Sequence, residues 1–121
     1  MYRIGTDIIE IHRIEKAIER HGESFLHRVY TNREVNSYRK SIPSLAARFA
    51  AKEAVMKALG QGFLTTGWRD IEVLSEPGGQ PTIRLYGRAE HRANQLGLKN
   101  LAISLSHCRE YALAVVLASS D

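Results

Sequence analysis

The sequence predicts an α+β fold in which a largely antiparallel sheet packs with one long helix and several shorter ones. Three observations carry that expectation. Segments of alternating polarity, the mark of half-buried strands, lie toward both ends of the chain. Between them, Leu45 to Leu59 contains good helix formers, with no Gly or Pro, and ends at Gly60. Turn-rich segments join the later strands in pairs. With 121 residues, 44% hydrophobic and 25% charged, residues 1–121 are expected to form a single domain around one core.

In chain order, Arg3 to Ile9 alternates, with Ile4, Thr6 and Ile8 on one side and Arg3, Gly5 and Asp7 on the other, which reads as a half-buried strand. Ile11, Ile14 and Ile18 then recur at helical spacing up to His21, and Gly22 supplies the stop. The outer face of that helix is basic. Thr31 followed by Glu34 matches a capping box and predicts a helix over Asn32 to Lys40, ended by Ser41-Ile42-Pro43. Ser44 is the expected cap of the long helix. Asp70 to Ser75 and Thr82 to Tyr86 form a predicted hairpin across Glu76-Pro77-Gly78-Gly79-Gln80. A helix over Arg88 to Leu96 follows, then strands at Leu101 to Ser106 and Tyr111 to Leu117.

Composition removes several classes of function. The longest strongly apolar run, Tyr111 to Ala118, is too short for the roughly 20 residues of a membrane span. The first residues lack the basic and apolar regions of a secretory signal, so a cytoplasmic protein is expected. Cys108 is the only cysteine, which rules out an intramolecular disulfide and a multi-cysteine metal site. A net charge of +4 and a pI near 9.5 favour anionic partners. The cations are dispersed, with no basic tail.

Asp7 is the first residue to ask for a chemical explanation, because a short carboxylate in a strand resists burial without a partner. A cation would supply one; an exposed edge position or a salt bridge to an arginine would serve as well. On the long helix, Glu53 falls beside Ala46, Ala50 and Lys57, so small neighbours leave room for a ligand or a second chain. An exposed pair between Glu53 and Lys57 is the plain alternative. Arg48, Lys52, Glu53 and Lys57 together place three cations and one carboxylate on one helix, a set suited to polyphosphate. Mg²⁺ is commonly held by one or two carboxylates plus phosphate oxygens, so Asp7 and Glu53 would suffice. His107, beside Ser106 at a strand end, can reach a ligand or serve as a structural loop histidine. Neither Gly60-Gln61-Gly62 nor Gly78-Gly79 matches a nucleotide-binding fingerprint, and no acid completes a triad with Ser104 or Ser106 and His107.

Read together, three segments resemble the holo-[acyl-carrier-protein] synthases, the small class of 4′-phosphopantetheinyl transferases. They are Ile4-Gly5-Thr6-Asp7-Ile8 with its continuation to Ile14, the helix Leu45 to Gly60 containing Phe49-Ala50-Ala51-Lys52-Glu53-Ala54-Val55-Met56-Lys57, and Ser104-Leu105-Ser106-His107 with Tyr111-Ala112. Trp68 to Val73 and Gly79-Gln80-Pro81 add to the likeness. It implies the 4′-phosphopantetheinyl transferase fold and transfer of the phosphopantetheine arm from coenzyme A to a serine of apo acyl carrier protein, releasing adenosine 3′,5′-bisphosphate.

The same resemblance assigns Asp7 and Glu53 as Mg²⁺ ligands and Lys57 as a catalytic and phosphate-binding cation. It assigns Arg48, Ser106 and His107 to coenzyme A, with Pro81 on the adenine side. The serine proton would go to Glu53 or to a metal-bound water beside Asp7. The resemblance further implies a homotrimer with active sites between subunits, and an acidic carrier meeting Arg13, Lys16 and Arg20. Gln80 stands where many relatives carry Lys, which would weaken one phosphate contact. Two other functions fit parts of the pattern: a small basic nucleic-acid-binding module, from charge alone, and a Mg²⁺-dependent phosphohydrolase, from the carboxylates.

Overall fold

A computed structural model describes all residues, 1–121. The chain runs β1 (Tyr2–Glu10), α1 (Ile11–His21), α2 (Glu23–Val29), α3 (Asn32–Tyr38), α4 (Ile42–Leu59), a 3₁₀ turn (Trp68–Asp70), β2 (Ile71–Ser75), β3 (Pro81–Leu85), α5 (Gly87–Gln95), β4 (Asn100–His107) and β5 (Tyr111–Ser119). One sheet has the order β1-β5-β4, and β2 pairs with β3 in a second; every pairing is antiparallel. The expected class and strand pairing hold.

Local chemistry accounts for the helix limits. Thr31 Oγ1 accepts from the Glu34 N–H at 3.2 Å while Glu34 Oε1 accepts from the Thr31 N–H at 2.9 Å, completing the capping box. The long helix starts three residues earlier than Ser44 would set it. Ser41 is its cap, accepting from the Ser44 N–H at 3.3 Å, and Pro43 fits in the first turn where its missing N–H has no helical partner. Gly60 closes the helix in the left-handed conformation, at φ 70°. Residues 23–29, left without an element by the sequence reading, form α2 and bury Phe25, Leu26 and Val29.

Helix α4 is the centre of the molecule. Between Leu45 and Leu59 only Phe49, Glu53 and Lys57 escape full burial, so one line of residues four apart faces outward. The inner face of the three-stranded sheet covers the helix with Ala112, Ala114, Val116 and Ala118 of β5 and Ile9 of β1.

Strand β1 alternates as its sequence predicts, but the face toward the interior is that of Arg3, Gly5, Asp7 and Ile9. Ile4 and Ile8 point away from the core and are 67% and 62% exposed. Across the strand pair they face Leu117 and Leu113, with Val115 between, so the outer side of this sheet is an apolar surface. No helix is long and apolar enough to cross a membrane.

Candidate active site

The site forms where β1 and α4 touch backbone to backbone. A Cβ on Gly5 would lie 1.8 Å from the Ala54 carbonyl oxygen and 2.9 Å from the Ala58 nitrogen, so only glycine permits this approach. Ala54 and Ala58 keep the helix side of the crossing equally low. Two residues beyond Gly5 on the same strand face, Asp7 is thereby held against the outward line of α4. Lys57 Nζ donates to Asp7 Oδ1 at 3.1 Å and to the Thr6 carbonyl at 2.9 Å. The exposed Glu53–Lys57 pair does not form: Lys57 bridges to the strand.

Glu53 stands one turn before Lys57. Its proton affinity is raised above the ordinary carboxylate range, first by partial burial and then by the negative charge of Asp7, while Lys57 and Arg13 pull the other way. Two carboxylates from different elements thus repel one another across a shared space, with α1 contributing Arg13 at its margin. Hard oxygen donors in that arrangement suit a hard divalent cation, and the charge it brings would relieve the repulsion. The chain contains no group of three or more His, Cys, Asp and Glu side chains able to enclose a metal. A cation here would complete its shell from substrate oxygens and water, as Mg²⁺ commonly does.

Arg13, Lys16 and Arg20 line one shallow basic groove of about 350 Å³ along α1. The residues expected on coenzyme A are dispersed in the single chain. Arg48 lies about 140° round the helix from Glu53. The residue is 5% exposed, and its guanidinium sits 3.7 Å over the Tyr38 ring and donates to the Val73 carbonyl at 3.3 Å and Ser75 Oγ at 2.7 Å. Within one protomer Arg48 is therefore a strut for β2, not an open phosphate grip beside Asp7. The reason is local: β2 has an unpaired edge whose carbonyl needs a donor.

Ser106 and His107 are adjacent and so point to opposite faces of β4. His107 shares the inner face of Asp7, two strands or about 10 Å across the sheet. Ser106 belongs to the outer apolar face, opposite Leu113. Pro81 opens β3 in the other sheet.

Sequence reasoning passes over a groove of about 710 Å³ that runs from the β4–β5 turn after His107 to the α3–α4 connection. It is lined by His12, Lys40, Ile42, Arg109 and Tyr111, among others. Arg109 and Lys40, in separate segments of the chain, are cations whose meeting the sequence does not reveal.

Comparison with known proteins places these features in a family. A model of the 4′-phosphopantetheinyl transferase superfamily matches residues 3–116. The holo-[acyl-carrier-protein] synthase of Dehalococcoides mccartyi strain CBDB1 is 54% identical over 118 residues, covering 98% of each chain. That of Moorella thermoacetica is 50% identical over 124 residues, covering 100% of this chain and 96% of its own. The Helicobacter pylori holo-[acyl-carrier-protein] synthase, solved in complex with coenzyme A, superposes with a TM-score of 0.87 at 34% identity, over 96% of this chain and 99% of that one. The Bacillus anthracis enzyme, solved with CoA (3′,5′-ADP), gives 0.80 at 33% identity, over 98% and 96%. Sequence, fold and the Asp7–Glu53–Lys57 cluster converge: the chain belongs to the 4′-phosphopantetheinyl transferase superfamily, as an enzyme of its holo-[acyl-carrier-protein] synthase group.

Proposed function

We propose that this enzyme moves the 4′-phosphopantetheine arm of coenzyme A onto a serine of apo acyl carrier protein, with Mg²⁺ held by Asp7 and Glu53. The observation that carries the reading is the meeting of Asp7, Glu53 and Lys57 on the only outward line of α4. Coenzyme A bound to the Helicobacter pylori relative supports the choice of donor.

In the reaction, the carrier's serine oxygen bonds to the phosphorus bearing the pantetheine arm. The phosphoanhydride bond breaks, and adenosine 3′,5′-bisphosphate leaves. Bound Mg²⁺ would neutralise charge on the pyrophosphate as that bond opens. Lys57, more than half exposed beside Asp7, is placed to hold charge on the departing bisphosphate. The serine proton would pass to Glu53 or to a water held beside Asp7. His107, at the end of β4, is suited to take a further phosphate of coenzyme A.

A cytoplasmic homotrimer completes this reading. The apolar outer face of the sheet supplies the contact, and a neighbouring copy brings to Asp7 the coenzyme A residues, Arg48, Pro81, Ser106 and His107, that one protomer keeps apart. The basic groove of α1 meets the acidic carrier and chiefly speeds encounter. The nucleic-acid and phosphohydrolase readings gain no support from this arrangement.

Incubation with coenzyme A, Mg²⁺ and apo acyl carrier protein is expected to raise the carrier's mass by one phosphopantetheine arm. An unchanged mass, with substrates verified on a control enzyme, refutes the proposal. Cleavage of coenzyme A without carrier would identify a phosphohydrolase instead.

A further inference from the structure

Side chains stand in for a third strand along the open edge of β2. The Ile71 carbonyl accepts from Lys52 Nζ, the Val73 N–H donates to Glu34 Oε2 at 2.8 Å, and the Ser75 N–H donates to the Tyr38 hydroxyl at 2.8 Å. Lys52 is the hub of this edge. It is fully buried, pairs with the equally buried Glu34 Oε1 at 2.7 Å and donates to the Trp68 carbonyl at 3.1 Å. Those contacts use all three ammonium protons.

Stability is a poor account of the pair. Replacing a buried ion pair by apolar groups of similar volume is often neutral or stabilising, because the desolvation cost rivals the attraction. What such a pair supplies here is a unique setting of α4. Half of the twelve buried residues of that helix are alanine, at positions 46, 47, 50, 51, 54 and 58. Along the alanine faces small alike side chains oppose rotation weakly, so the angle of the helix is set by its larger buried residues, among which only Lys52 adjoins Glu53 and is held by an ion pair. Lys52 immediately precedes Glu53, so the tether and the proposed metal ligand lie about 100° apart on one turn. A carboxylate about 6 Å from the helix axis moves about 2 Å when the helix turns by about 20°. Metal ligation holds distances to about 0.2 Å.

We infer that Lys52, clamped by Glu34 and the carbonyls of Ile71 and Trp68, is a positioning residue that fixes the rotation of α4 presenting Glu53 to Asp7. The inference rests on the metal-site reading above.

The test compares the native enzyme with the double variant E34L/K52M, which removes both charges and keeps the interior filled. Free Mn²⁺ is followed by electron paramagnetic resonance with coenzyme A present, alongside thermal melting and transfer kinetics. The variant is expected to melt cooperatively but at a lower temperature than the native protein, because the Ile71 and Trp68 carbonyls and the Thr31 and Val73 N–H groups lose their partners. It is expected to bind Mn²⁺ at least about tenfold more weakly, the scale seen when a ligand's support is removed, and to lose kcat far more than it raises KM for coenzyme A. Should it fail to fold, E34Q/K52M, which retains the acceptor for the Thr31 N–H, carries the same comparison. A folded variant with native Mn²⁺ affinity and native kcat, or one shifted in melting temperature alone, overturns the inference. Failure of the native protein to take up Mn²⁺ overturns the metal reading itself, and the inference with it.

Discussion

Lys57 Nζ reaches Asp7 Oδ1 at 3.1 Å, joining residues fifty positions apart through the bare crossing of Gly5 and Ala54. The ammonium occupies one oxygen of a carboxylate that the proposed cation also needs. Its place is consistent with a charge that moves toward the phosphates once coenzyme A and metal arrive.

Replacing Lys57 by Met is expected to leave the fold intact, since the side chain is more than half exposed. Turnover should fall by about 10²-fold or more, the usual cost of deleting a charge partner of a transition state. Mn²⁺ affinity should hold or rise, because a competing cation is gone. Carrier mass spectrometry and Mn²⁺ resonance check both, and near-native turnover would remove Lys57 from the chemistry.

Gly5→Ala tests the crossing. The added methyl would overlap the Ala54 carbonyl at 1.8 Å, a backbone atom of a central helix that cannot turn aside. Strand and helix must part, which is expected to cost about 2–3 kcal/mol or more and to displace Asp7 from Lys57. Urea denaturation measures the first effect and transfer activity the second. A variant of native stability would mean that the crossing adapts freely.

The motif residues Asp7, Glu53 and Lys57 were legible in the sequence because each stands out locally: an acid in an apolar strand, an acid and a lysine at helical spacing among alanines. The inward face of β1 was not. Alternation defines two faces and leaves open which one meets the core; Ile4 and Ile8 suited the interior, yet Gly5 alone allows the helix to approach. The contacts of Arg48 within its own chain were not legible for a related reason. Spacing places a cation on the helix, but only the three-dimensional fold reveals that β2 has an unpaired edge calling for donors. Ser106 and His107, adjacent in sequence, are parted by the pleat of β4.

Glu53 should make the metal-free enzyme less stable as pH rises. Burial and the charge of Asp7 raise its folded pKa above the ordinary 4.5. Between the two values the folded state binds more protons than the unfolded one. This contribution to stability is thus full at low pH and is lost as pH passes upward through the folded value. Glu53→Gln removes the titration. In chelator, the variant and the native protein should melt together near pH 4.5, and the variant should melt higher at pH 7.5. Coenzyme A with Mg²⁺ should close that gap by stabilising the native enzyme alone, and the variant should lose most turnover. A difference in melting that does not change with pH would refute the coupling of Glu53 to Asp7.

The outer sheet face decides the assembly. Ile4 opposite Leu117 and Ile8 opposite Leu113 present apolar side chains away from the core, where water gains nothing from them. Covering them with copies of the same chain would bury that surface, the contact on which the proposed homotrimer rests. If the proposed homotrimer forms through this face, the native protein sediments at three times its 13.6 kDa chain mass at micromolar concentration. The double variant Ile4→Glu/Ile8→Glu should sediment as a folded monomer, because both side chains already stand in solvent in the isolated chain. It should lose transfer activity, although Asp7, Glu53 and Lys57 are untouched. Sedimentation equilibrium with circular dichroism separates the outcomes. A native monomer, or a monomeric variant with native turnover, would mean that each chain carries a complete site.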